Sequence, residues 1–165
     1  MSNRRPSNRV PGKKQFSEQV NDFVRKTHRT ADVFTRELLI LIMSRIDQRS
    51  PIGDPKHWEH PAPKDYLPGT FRGSWMLGVD DLNTDQPGTR DPNRKMLAVA
   101  RAMKQIPEKA AGHVYFYANS VPYATPLEYG WSYRQAPYGI VAATISEFRS
   151  MTMQALKKAK ADVTG

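Results

Sequence analysis

The residues best suited to chemistry lie in four places. The first is Asp54, His57, Glu59 and His60. His57 and His60 are three apart, a spacing at which two imidazoles share one helical face. Pro51, Pro55, Pro61 and Pro63 deny that stretch a long helix. No further histidine is near, so the segment reads as loop packing and surface polarity, not a metal centre. The second is the carboxylate pair Asp80-Asp81, which follows a strand into a loop where solvation is the default. The third is Ser74 beside Trp75. No Gly-x-Ser-x-Gly surrounds it and the chain has no cysteine, so it reads as a turn hydroxyl. Gly69 and Gly73 lack the Lys-Ser/Thr of a phosphate loop. The fourth is Tyr115 and Tyr117, which alternate on a strand as base-stacking residues would. Their basic neighbours are sparse, only Lys109 before and Arg134 after. An outer sheet face against a partner is the expected use. No catalytic residue, metal or cofactor is expected, and the chain is not read as an enzyme.

The elements that must hold these residues follow from periodicity. Phe16, Val20, Phe23, Thr27, Ala31, Phe34, Leu38 and Leu41 recur at steps of three and four, one face of a helix from Gln15 to about Ser50-Pro51. Leu38 to Met43 is apolar all round and must be covered on every side. A small sheet covers one side, and a partner subunit is the expected cover for the other. Residues 51–70 are rich in Pro, Gly and aromatics, too long for an ordinary connection and so a candidate binding loop. Phe71 to Val79 reads as a turn into a strand with Trp75, Leu77 and Val79 on one side. Asp91-Pro92 is an expected N-cap for a second helix with a Met96, Val99, Ala100, Met103 stripe, closed by Pro107. His113 to Ala118 reads as a strand with Val114, Phe116 and Ala118 on one face. After a loop at 119–139, a last helix begins at Ile140 with Val141, Thr144, Ile145, Phe148, Met151 and Ala155 on one face. The predicted fold class is α+β: a small antiparallel sheet packed by a long N-terminal helix and two further helices.

The chain has 165 residues and a formal charge of +9. That length fits one domain, and the charge suggests a polyanionic partner. The charge is not spread evenly. Residues 1–14 hold Arg4, Arg5, Arg9, Lys13 and Lys14 with no acid, and residues 149–165 hold Arg149, Lys157, Lys158 and Lys160 against Asp162. The stretch between has 16 basic and 15 acidic residues. A near-neutral body argues against a DNA-binding fold, whose basic residues cluster on one folded face. The expected organisation is a flexible basic arm over 1–14, one domain over 15–156, and a basic tail over 157–165. The basic N-terminus has no apolar core of a secretory signal, and the longest apolar run is too short to span a bilayer. No membrane role is expected.

Two stretches together carry a resemblance. One is Ser50-Pro51-Ile52-Gly53-Asp54-Pro55 to Trp58, followed by Pro68-Gly69-Thr70-Phe71-Arg72-Gly73-Ser74-Trp75. The other is Asn119-Ser120-Val121-Pro122-Tyr123-Ala124, Leu127-Glu128-Tyr129-Gly130-Trp131-Ser132 and Gln135 to Val141. In order and spacing this resembles the tail-completion or neck proteins of tailed bacteriophages, the HK97 gp10-like family, over roughly residues 15–155. Phe71 and Ile52 stand where that family often has Leu and Val, and the loop from Lys56 to Leu67 is longer than in its compact members. The resemblance implies a structural virion protein at the head–tail junction. It implies a ring, six-fold in expectation, between head-closure or connector proteins and tail-tube or tail-terminator proteins. The location implied is the virion, with the host cytoplasm during assembly. A tail terminator that caps the tube is the nearest rival. A nucleic-acid-binding module using the basic ends is the rival of another class.

Aromatics and arginine favour interface centres. The candidate interface residues are therefore Trp58, Tyr66, Arg72, Trp75, Tyr123, Glu128, Tyr129, Trp131 and Tyr138 in the loops, with Leu39 and Ile42 on the long helix. Core packing competes equally for Trp75 and Tyr123. Arg72 is expected to pair with a carboxylate, and Glu128 is the candidate. Arg4, Arg5, Arg9, Lys13 and Lys14 form an arm toward a neighbouring subunit, or a non-specific contact with genomic DNA in the channel.

Overall fold

The computed structural model describes residues 12–57, 61, 62, 64–130, 132, 134 and 136–164. Helix α1 runs from Gly12 to Arg49. At 1.5 Å per residue its 38 residues span about 57 Å. A 3₁₀ turn (Pro55–His57) and the short α2 (Thr70–Gly73) lead into β1 (Trp75–Val79). Helix α3 (Leu97–Met103) precedes β2 (Tyr115–Asn119), and α4 (Ala124–Glu128), α5 (Val141–Ile145) and α6 (Phe148–Thr164) complete the chain. The fold class is α+β as expected. The two strands pair antiparallel, in register from Trp75 opposite Asn119 to Val79 opposite Tyr115. No helix among the described residues is long and apolar enough to cross a membrane.

Two apolar clusters make the core. One gathers Ile46, Phe71, Trp75, Ala98, Val121, Ala136 and Ile140. The other gathers Met43, Leu77, Val99, Ala102, Ile106 and Ala110. Both rest on the C-terminal half of α1. Helix α6 lies antiparallel along another face of that half. Lys158 pairs with Glu37 at 2.6 Å and Glu147 pairs with Arg45 at 3.2 Å and with Arg49. At 100° per residue, Glu37, Arg45 and Arg49 bracket Phe34, Leu38 and Leu41, so α6 crosses the expected stripe itself. Met151, Ala155 and Ala159 are its buried side. Two alanines at spacing four let the helices approach closely.

This arrangement corrects several expectations. The second cover for Leu38–Met43 comes from α6 of the same chain, not from a partner. Leu39 and Ile42 are half-buried against the two core clusters. Residues 157–164 are the last turns of α6, not a tail. The final helix is broken: α5 ends at Ile145 and α6 starts at Phe148, which leaves Ile145 and Phe148 exposed instead of on a common buried face. The helix expected from Asp91 begins six residues later, because Arg94 and Met96 take left-handed backbone conformations. Asp91 still serves it at a distance. Its buried carboxylate accepts from the amides of Lys95 (2.8 Å) and Leu97 (3.3 Å). The buried face of α3 is Ala98, Val99 and Ala102, while Met103 is exposed, and the helix stops before Lys104 instead of at Pro107. On β2 the faces are reversed. Tyr115 and Tyr117 point to the core side and Val114 and Phe116 are exposed. Tyr117 stacks on Trp75, with ring centroids 5.2 Å apart. An aromatic pair across the strands outweighs the Val/Phe/Ala alternation.

The β1–β2 ribbon is closed at one end by Asp80, itself left-handed at φ 61°. Its carboxylate accepts from His113 Nδ1 (2.6 Å) and from the Val114 amide (3.0 Å). These two bonds, the histidine first, hold the Asp80 carboxyl below its ordinary value. A lowered folded-state value favours the closed ribbon end above the ordinary carboxylate pKa. That preference is lost as pH falls from about 4 downward. Amide exchange at Val114 is expected to speed up over that range relative to Leu77, after correction for intrinsic rates. Asp80→Asn is expected to abolish that difference in pH response.

Candidate functional site

The first of the resembling stretches turns out to be a fastening. Gly69 has φ 82°, and a Cβ there would lie 2.3 Å from Pro92 N. A Cβ on Gly73 would lie 2.0 Å from the Thr89 carbonyl oxygen. Both positions need glycine because the 89–92 backbone passes directly over α2. The Asp91 amide donates to the Gly69 carbonyl at 2.9 Å, and Gly69 N donates to Ile52 O at 2.7 Å, closing the neck of the 52–69 loop.

Between these glycines Arg72 reaches the end of α1. It is 1% exposed, and its guanidinium donates to the Asp47 carboxylate, the Asp47 carbonyl and the Ser50 carbonyl (3.0 Å). The last carbonyls of a helix lack partners within it, and Arg72 supplies them. The charge pair is wholly buried, so its attraction offsets a large desolvation cost. Burial pushes the Asp47 carboxyl up and the Arg72 guanidinium down, so each charge depends on the other. Trp75 Nε1 donates to Ser50 Oγ at 2.9 Å, and Ser50 Oγ donates to Ile46 O at 2.8 Å. Phe71 meets Trp75 edge to face at 5.7 Å. Arg101 caps the other side, donating to the carbonyls of Gly73 (2.9 Å) and Trp75 (2.8 Å). Arg72 and Trp75 therefore belong to the core and not to an interface. The carboxylate that Arg72 meets is Asp47, not Glu128.

Glu128 does a different task in the second stretch. Its Oε2 accepts from the amides of Ile140 and Val141, and its Oε1 from Ala142, all at 2.8 Å. It thereby caps α5 from 12 to 14 residues upstream and closes the 128–142 loop. Tyr123 is half-buried and packs on Phe71 at 6.3 Å, which also favours the core. Tyr66 is half-buried, its hydroxyl donating to Ile52 O at 3.4 Å, and burial pushes it up to about 12. By contrast Tyr129 is 79% exposed and Tyr138 84% exposed. They stand at the two ends of the loop that Glu128 closes. Trp58 and Trp131 lie outside the described residues, as do Glu59, His60, Arg4, Arg5 and Arg9. Lys13 and Lys14 are in the first turn of α1. No cluster of metal-binding side chains occurs among the described residues.

No protein family, curated protein or solved structure matches this chain. What it does must therefore be argued from its own surfaces.

One such surface has no counterpart in the list of candidates. Every described side chain of α1 from Gln15 to Arg29 is exposed, and cover begins at Thr30. The reason is length. With Glu37 against Lys158, antiparallel α6 runs out near residue 31 of α1. On the sheet side the 107–111 turn reaches no further. Arg36 donates to Pro107 O at 2.6 Å and the Ala111 amide donates to Asp32 at 2.8 Å. About 22 Å of α1 thus projects beyond the body. It carries Phe16 (68% exposed), Phe23 (71% exposed), Val20 and Val24 on one side. The apolar stripe was legible in the sequence. Its lack of cover was not, because that depends on where α6 ends.

Proposed function

We propose that this chain is a structural protein of tailed-phage virions, placed at the head–tail junction. Copies form a ring at the top of the tail and help join tail to head, between connector and tail-tube components. The observation that carries an assembly role is the bare apolar stripe on the projecting part of α1. A stripe at steps of three and four is made for packing against another element, and no element among the described residues covers it. Which assembly it serves rests on the ordered resemblance of residues 50–75 and 119–141 to neck and tail-completion proteins. The exposed Tyr129 and Tyr138 add aromatic contact area of the kind interfaces favour. The buried ionisable groups, Asp47, Arg72 and Asp91, are occupied in holding elements together, which supports assembly over catalysis.

Mass-spectrometric inventory of purified virions, combined with images of the neck, tests the reading. The protein is expected in virions at ring stoichiometry near the tail top. A strictly monomeric protein absent from virions overturns it. Density capping a free tube, with none in joined particles, assigns the terminator role instead. Tyr129→Ser with Tyr138→Ser is expected to change stability by no more than about 0.5 kcal/mol while lowering the yield of joined particles. For the basic ends, DNA affinity that falls steeply with salt and disappears on deleting residues 1–14 favours the nucleic-acid module.

A further inference from the structure

We propose that the outer edge of β2 pairs antiparallel with β2 of a second copy of this chain, about a two-fold axis at Tyr117. Two ribbons then join into one continuous four-stranded sheet. This contact stands apart from the neck reading: ring contacts are heterologous, whereas this one is two-fold and closes on a pair.

The ladder fixes which backbone groups face outward. Asp80 N donates to Val114 O at 2.8 Å, and these residues lie opposite each other one step beyond the Val79–Tyr115 pair. Bonded and non-bonded pairs alternate along an antiparallel ladder. Phe116 and Ala118 therefore bond inward to Gly78 and Met76. The amides and carbonyls of Tyr115, Tyr117 and Asn119 point away from β1. The far edge of β1 is covered. Trp75 O accepts from Arg101 at 2.8 Å, and Trp75 to Gly78 are all buried. The far edge of β2 is not. No residue of β2 is fully buried, although the Tyr117 ring is stacked on Trp75 and its hydroxyl is enclosed. Among the described residues, nothing bonds to the outward backbone groups of Tyr115, Tyr117 and Asn119.

A row of amides and carbonyls at two-residue spacing is complementary to another extended strand. The edge itself selects which one. Val114 to Val121 has no charged residue and no proline, and the register has no bulge, so the devices that keep edge strands apart are missing. Its aromatic residues favour strand pairing. With the axis at Tyr117, that residue meets its own copy, and Tyr115 meets Asn119 of the second copy. Each outward amide then donates to an outward carbonyl, and all five strand residues are paired. The side chains agree with this register. On the outer face Phe116 comes opposite Ala118 of the second copy and Val114 opposite Ser120 of the second copy, a large apolar group beside a small one. Phe116 is 37% exposed and Val114 59% exposed, and the pairing covers both. Residues 1–11 of the same chain are a poor occupant, because Pro6 and Pro11 interrupt a ladder. So short an edge buries less than the about 800 Å² per side of a stable complex, and the pair dissociates on dilution.

Amide exchange on the full chain, with sedimentation over a range of concentrations, tests the contact. In dilute protein the amides of Phe116 and Ala118 are expected to be protected and those of Tyr115, Tyr117 and Asn119 to exchange freely. At concentrations where sedimentation shows association, those three amides are expected to slow by about tenfold or more. Phe116→Lys places a charge on the exposed outer face and is expected to abolish both the association and the slowing, with Tm unchanged. The chain has no cysteine, so single cysteines report the register. Phe116→Cys mixed with Ala118→Cys is expected to give a disulfide-linked heterodimer in preference to either homodimer. A protein that stays monomeric at every concentration overturns the proposal. So does association that leaves the three amides unprotected, the mark of a contact elsewhere such as the α1 stripe. If Phe116→Lys fails to fold, exchange in the unaltered protein and the cysteine pair decide the matter. Rings at the neck with β2 unprotected overturn this contact alone. Paired β2 edges in a protein absent from virions overturn the neck reading alone.

Discussion

Replacing Arg72 with methionine is expected to destabilise the domain by about 3–5 kcal/mol, the cost of removing one partner of a buried ion pair. In a chain of this size that lowers Tm by about 10 °C or more. The loss has two parts. Asp47 is left as a buried carboxylate whose pKa burial already raises, so it takes up a proton more readily. The carbonyls of Asp47 and Ser50 also lose the Arg72 guanidinium at the end of α1, although the Asp47 carbonyl keeps the Ser50 amide at 3.1 Å. Chemical denaturation of Arg72→Met, Asp47→Asn and the double variant separates these parts. The Asp47→Asn change should recover some stability in the Arg72→Met background, because it removes the orphaned charge, but not the share that belongs to the carbonyls. Equal loss in the double and the Arg72 variant would show that the charge pair contributes little and that Arg72 acts as a helix cap alone.

Replacing Glu128 with alanine is expected to cost about 2–3 kcal/mol. Three amides lose one acceptor together, and a helix cap is usually worth about 1 kcal/mol when a single amide is served. Glu128 is half-buried, so water recovers part of the loss. Glu128→Gln keeps one oxygen and is expected to fall between. Hydrogen exchange should show the damage confined to Ile140, Val141 and Ala142 at first, with the amides of β1 and α1 protected as before. Simultaneous loss of protection across the domain would mean that the 128–142 loop is part of the cooperative core.

How far the sequence could be read follows from the range of each signal. The long helix was visible because its stripe repeats locally at steps of three and four. The two strands were visible from alternation, yet the buried face of β2 was reversed. Alternation cannot say which set of side chains is inside, and here a stack of Tyr117 on Trp75 decides it. Asp91-Pro92 looks like a helix start and is one functionally, but two left-handed residues displace the helix to Leu97. The partner of Arg72 was beyond reach for a different reason. Asp47 lies 25 residues upstream on the helix end, one acid among 16, and only the folded path of the chain selects it. Glu128 is expected at an interface and opposite Arg72, and instead accepts from the amides of Ile140, Val141 and Ala142, which its sequence neighbours do not reveal for the same reason. Tyr129 and Tyr138 are exposed as an interface requires, whereas Arg72 and Trp75 were chosen by residue type and proved structural. Arginine and tryptophan are favoured both at interfaces and in satisfied cores, so type alone does not separate the two.

The projecting part of α1 is also a lever. It is a single unbroken helix held only below Thr30, with its tip about 22 Å from that fulcrum. A bend of about 10° near Thr30 would carry Phe16 through about 4 Å and leave the part of α1 that packs in the core clusters, Leu39 to Ile46, in place. In the proposed ring, copies joined through such a segment would share an uneven load or fit a slightly different circumference, while each body kept its own packing unchanged.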